Sequence, residues 1–136
     1  MNVYELLKQD EGLMAKMRRC PTGHWTIGFG HNLETTPITE RAAMVILEDD
    51  VQAVTLRCAL FIPSWDELGQ VRQAVLVSVA FNVGVTGLQG FRRMLLAIHM
   101  RQWERAADEL LDSDAGRLLP VRYKRLAEML KSGEWR

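Results

Sequence analysis

Residues 20–31 read Cys-Pro-Thr-Gly-His-Trp-Thr-Ile-Gly-Phe-Gly-His, and they limit the fold more than any other stretch of the chain. Pro21-Thr22-Gly23 has the chemistry of a turn, and His24 to His31 is β-prone with closely spaced glycines. The natural reading is a small hairpin or three-stranded sheet. On either side of it, apolar residues recur at helical spacing. Asn2 can cap a short helix through about Asp10 that carries Val3, Leu6 and Leu7 on one face, with Gly12 as its stop. Thr39 opens a second, longer helix with Ala43, Ile46, Leu47, Val51 and Val54 in register, broken at Pro63-Ser64. A third helix is expected from about Asp66 to Val83, apolar nearly all round and therefore central. Gly84, Gly87 and Gly90 punctuate a loop, and helices then fill about 91–99, 101–112 and 119–131.

These elements predict a mainly α-helical α+β fold in a single domain, 1–136. Its small β-containing lobe covers about 12–50, and its helical lobe covers about 51–136 plus helix 1–11. Two lobes joined by the long second helix would leave a cleft, the usual place for a ligand. With 136 residues and 48% hydrophobic content, the chain can bury a core without metal or disulfides. Its two cysteines, Cys20 and Cys58, are too few for a disulfide scaffold and have no metal-ligand spacing, so no metal or other cofactor is expected. The 17 basic and 17 acidic residues cancel, which argues against nucleic acid as the main partner. Arg117, Arg122, Lys124 and Arg125 form a local basic run, read as a solvated helix face. The N-terminal stretch lacks a basic n-region and an apolar h-region, so it does not read as a signal peptide. Ala74 to Val85 is apolar but too short to span a bilayer. The expectation is a monomer held in the cytoplasm until another factor releases it.

Chemistry enters at Glu11, Cys20 and Thr26. A Glu at a helix end is on its own a surface residue; its company gives it meaning. Cleaving a glycosidic bond needs a proton for the leaving oxygen, and a nucleophile or charge stabilisation at the anomeric carbon. Two carboxyl groups commonly divide that work. Eight residues separate Glu11 from Cys20 and five separate Cys20 from Thr26, and the residue at position 20 is a thiol and not a second carboxyl.

The chain resembles the phage-type lysozymes, the muramidases of T-even phages and their prophage relatives. The resemblance rests on the Glu11–Cys20–Thr26 spacing, on Thr26-Ile27-Gly28-Phe29-Gly30-His31, and on Phe81-Asn82-Val83-Gly84. Gly90-Phe91, Trp103, Pro120 to Arg125 and Gly133-Glu134-Trp135 also have counterparts in that family. The resemblance implies a two-lobed lysozyme-like fold and hydrolysis of peptidoglycan between N-acetylmuramic acid and N-acetylglucosamine. It implies Glu11 as general acid, Thr26 as holder of the attacking water, and Arg122 as the arginine that orients the glutamate. Gly30, Phe81 and Asn82 would lie along the saccharide, with His31 a structural residue closing the hairpin. A separate membrane-permeabilising protein of the holin type is the implied partner for release.

Position 20 departs from the family pattern, which has Asp there. An unperturbed thiol has a pKa of about 8.5, so most of it is neutral at pH 7. Arg18, Arg19 or Arg122 would raise the thiolate fraction, and sulfur is also a competent nucleophile. Asp10 or Glu34 is an alternative second acid, although adjacent side chains on a helix, such as Asp10 and Glu11, diverge by about 100°. Two readings stand beside the muramidase: a wall-binding descendant without activity, and a glutamate-only lytic transglycosylase, which needs no second carboxylate.

Overall fold

The computed structural model describes residues 1–136. Helix α1 (Val3–Glu11) begins with a reciprocal capping box. Asn2 Oδ1 accepts the N–H groups of Tyr4 at 2.9 Å and Glu5 at 3.1 Å, while Glu5 Oε2 accepts the Asn2 N–H at 2.8 Å. First-turn donors that have no partner inside the helix are satisfied in this way. Strands β1 (Met14–Arg19), β2 (Trp25–Gly28) and β3 (His31–Asn32) form an antiparallel sheet in that order. Arg19 stands opposite Trp25 and Arg18 opposite Thr26, with an irregularity before Met14 meets Gly28. In the next pair Thr26 faces Asn32 and Ile27 faces His31. Helix α2 (Glu40–Phe61) starts where Thr39 Oγ1 accepts the Ala42 N–H at 3.2 Å. No helix is long and apolar enough to cross a membrane.

Contacts divide the chain into Met1–Ile46 and Leu47–Arg136, with the boundary inside α2. The sequence expectation grouped α1 with the helical lobe, whereas its C-terminal half contacts the β2–β3 turn. Lys8 Nζ lies 5.8 Å from the centre of the Phe29 ring. Thr26 is the buried residue of this first unit.

The second unit holds the hydrophobic core, built by α3 (Gln70–Val83), α4 (Val85–Gln89), α5 (Arg92–His99), α6 (Trp103–Leu111), α7 (Asp114–Leu118) and α8 (Pro120–Ser132). Tyr123, Leu76, Leu88, Met94, Ile98, Leu110 and Leu130 are fully buried, each aliphatic one worth about 1.5–3 kcal/mol. Arg72 ties α3 to the end of α8, donating from Nε to Leu130 O at 2.8 Å and from Nη2 to Lys131 O at 3.1 Å. Its guanidinium carbon also lies 3.9 Å from the centre of the Trp103 ring, a cation–π contact.

Three sequence expectations are corrected here. The helix expected from Asp66 starts at Gln70, because Trp65–Glu67 is a separate 3-10 turn and Gly69 has a φ of +76°. It is also one-sided: Val75, Leu76, Val79 and Ala80 are buried, whereas Phe81 and Asn82 are exposed. The glycine loop after Val83 contains α4, closed by the Leu88 N–H on Gly84 O at 2.9 Å and anchored by buried Val85 and Leu88. Helix α7 was not expected. Ser113 Oγ accepts the Gly116 N–H at 3.0 Å and donates to Leu110 O at 2.6 Å, which turns the chain into it. Both cysteines are free thiols. In the basic run, Arg117 is paired with Asp114 at 2.7 Å and Asp112 at 3.0 Å, while Lys124 and Arg125 face solvent.

Candidate active site

Glu11 is the last residue of α1, and Gly12 leaves the helix at a φ of +67°. The Glu11 side chain lies against the β2–β3 turn. A Cβ built on Gly30 would stand 3.1 Å from both Cδ and Oε2 of Glu11, so a side chain there would push the carboxyl by a few tenths of an ångström. Gly30 also has a φ of +78°, in the left-handed region that disfavours other residues. Gly28, at a φ of +67°, has nothing within 4 Å of its missing Cβ and is therefore a matched control. Gly28→Ala and Gly30→Ala should each lose about 1–2 kcal/mol to backbone strain. Only Gly30→Ala should also shift the Glu11 carboxyl, by a few tenths of an ångström, so it alone should lose activity beyond the shared fall in melting temperature. Equal activities in the two variants would dissociate Glu11 from the turn.

Cys20 and Thr26 meet at one backbone carbonyl. His24 O accepts the Cys20 N–H at 2.8 Å and the Thr26 hydroxyl at 3.2 Å. Thr26 is 4% exposed. Because its hydroxyl donates to His24 O, its oxygen lone pairs remain able to accept a hydrogen bond from water. Cys20 Sγ lies 3.0 Å from Thr22 Oγ1. The Thr22 hydroxyl, with the His24 and Thr22 backbones and the Thr26 hydroxyl adding to it, outweighs desolvation and draws the thiol down to about 7. The Asp expected at this position is thus replaced by a thiol with substantial thiolate character at neutral pH.

Glu34 is not free to serve as a second acid. Its Oε2 lies 2.7 Å from His24 Nδ1, and its Oε1 accepts the Trp25 N–H at 3.3 Å. The bond to His24 holds the carboxyl below its ordinary range and raises the imidazole above its own. Sequence reasoning missed this pair, yet the hairpin register contains it. Thr26 faces Asn32 and Ile27 faces His31, so facing residue numbers sum to 58 and His24 falls opposite Glu34. An opposite-charge cross-strand pair was the available signal.

Glu11, Cys20, Thr26 and Gly30 all belong to the first unit, and Phe81, Asn82 and Arg122 to the second. Arg122 Nη2 donates to Ser78 O at 3.0 Å and Ser78 Oγ at 3.2 Å. Phe81, 42% exposed, lines with Arg122 a groove of about 570 Å³ that also includes Val51, Val77 and Ser78. Asn82 Oδ1 accepts the hydroxyl of buried Tyr123 at 2.7 Å, which anchors the end of α3 to α8. His31 pairs with Ile27 in the sheet, and its Nε2 is enclosed without a hydrogen-bond partner.

A family model described as phage lysozyme matches residues 8–128. A probable T4-type lysozyme of Dictyostelium discoideum is 24% identical over 163 residues, covering 97% of this chain and 95% of that protein. An endolysin of Acyrthosiphon pisum secondary endosymbiont phage 1 is 36% identical over 86 residues, 60% of this chain and 56% of its own length. The pre-baseplate central spike protein of Enterobacteria phage T4 is 27% identical over 134 residues, 78% of this chain but 23% of that longer protein.

Proposed function

Because the chain belongs to the phage lysozyme family, we propose that it is a peptidoglycan hydrolase of the muramidase type, cutting between N-acetylmuramic acid and N-acetylglucosamine. The observation that carries this reading is the joint geometry of the first unit. A carboxyl packed on a turn glycine accompanies a thiol and a hydroxyl that share the His24 carbonyl.

Each group has a part in the reaction. Protonated Glu11 gives its proton to the glycosidic oxygen as the bond to the anomeric carbon breaks. Water held by the Thr26 oxygen adds to that carbon, and the Cys20 thiolate takes the proton that the water loses. Glu11 is left as carboxylate and Cys20 as thiol, and proton exchange with solvent resets both. The Cys20 N–H and the Thr26 hydroxyl bond the same His24 carbonyl oxygen. That shared anchor favours water activation by the thiolate over its direct attack on the sugar. The orienting role of Arg122 and the saccharide contacts of Gly30, Phe81 and Asn82 rest on sequence correspondence with the family. Release past the membrane by a separate holin-type protein, and action as a monomer, belong to the same proposal.

Digestion of purified peptidoglycan in heavy-oxygen water, followed by mass spectrometry of the fragments, tests the reading. Reducing ends carrying the heavy oxygen are expected. Anhydro ends would point to transglycosylation, and intact peptidoglycan would leave only wall binding.

A further inference from the structure

We propose that Glu34 and His24 are positioning residues whose hydrogen-bonded pair fixes the peptide that aligns Cys20 with Thr26. This rests on the reading of Cys20 and Thr26 as reacting groups. The peptide unit between residues 24 and 25 is planar and rigid. Its N–H edge, on Trp25, donates to Glu34 Oε1 at 3.3 Å. Its C=O edge, on His24, accepts from Cys20 N at 2.8 Å and from Thr26 Oγ1 at 3.2 Å. A trans peptide cannot turn one edge without turning the other, so the carboxylate on one side sets where the carbonyl points on the other. The negative charge on the N–H edge also polarises the unit and strengthens the carbonyl as an acceptor.

The second carboxylate oxygen grips the side chain of the same residue that supplies the carbonyl, at 2.7 Å from His24 Nδ1. Glu34 is in turn held by a local turn. Asn32 Oδ1 accepts the N–H groups of Glu34 at 2.9 Å and Thr35 at 3.1 Å, and the Leu33 N–H bonds to Trp25 O at 2.8 Å. The other charged group facing this cluster is Arg19. It stacks 4.6 Å from the Trp25 ring centre, donates to Gly23 O at 2.9 Å, and adds to the charge that keeps Glu34 ionised. The pair is nearly half exposed, 46% for His24 and 40% for Glu34, where an ion pair adds little to stability. Its consequence lies in alignment.

The test is the titration of Cys20 in the full chain, read as the pH dependence of its alkylation by iodoacetamide. Peptide mass spectrometry separates it from buried Cys58. In the parent the midpoint is expected near 7. Glu34→Ala should move it up toward that of a free thiol. Glu34→Gln, which can still accept from the Trp25 N–H, should hold it closer to the parent. On peptidoglycan, Glu34→Ala should lower kcat about tenfold and move KM less than about twofold. An unchanged Cys20 midpoint in Glu34→Ala overturns the proposal, as does a loss carried by KM rather than kcat. If the parent releases no fragments, the muramidase reading fails, while the thiol titration still decides whether the pair positions Cys20.

Discussion

Glu11→Gln is expected to leave a folded protein that releases fragments from peptidoglycan at least about a thousandfold more slowly than the parent, within the range found for deleting a general acid. The amide matches the carboxyl in size and keeps its packing against Gly30, so the turn is not disturbed. Glu11 is exposed, and surface replacements of this kind seldom move stability. What is lost is a proton that can be handed over. A glycosidic oxygen is a poor leaving group without one, and the Gln amide cannot supply it on the time scale of the reaction. The loss should fall on kcat, with KM nearly unchanged, because the proton matters only as the bond breaks. Melting curves of parent and variant should superimpose. Retention of more than about a tenth of the parent rate by Glu11→Gln would remove Glu11 from the role of general acid and return the other acids to consideration.

Sequence patterning disclosed the elements whose signals are local. Asn2 with Glu5 is a cap written within three residues, and Thr39 is another. The glycine-spaced hairpin became the three-stranded sheet. The short helices α4 and α7, five residues each, escaped because periodicity needs more than one turn to register. Their formation depends on tertiary burial of Val85, Leu88 and Gly116 rather than on propensity. Glu11, Cys20 and Thr26 stood out in the sequence through the resemblance of their spacing to that of the family. The packing of the Glu11 carboxyl into the space beside Gly30 was not, since it follows from the angle at which α1 meets the turn. The His24–Glu34 pair lay between these cases. It could be read only after the hairpin register was known.

With Cys20 as the base, activity should answer to pH in a way that it would not with an aspartate. The folded thiol is lowered from 9.0 to about 7. Its anion is therefore present above that value and is lost as pH falls through it. If the thiolate takes the proton from water, the parent rate relative to that of Cys20→Asp should climb through pH 7, because both proteins share Glu11 and only the parent depends on the thiol; at pH 6 only about a tenth of the molecules carry its anion. Because a carboxylate stays ionised across the range, the rate of Cys20→Asp relative to the parent should grow by about tenfold between pH 8 and pH 6. Cys20→Ala offers neither anion nor base and should run about a hundredfold to a thousandfold below the parent at pH 8. Parallel initial-rate profiles of the three proteins from pH 5 to pH 9 check the set. A ratio of the two rates that does not change through pH 7 would remove the thiol from the role of base. A Cys20→Asp rate far below the parent at every pH would mean instead that sulfur acts as a nucleophile, which a carboxylate at the same Cα cannot reproduce from its different reach. In that case the product would keep its anomeric configuration, whereas activation of water by the thiolate inverts it.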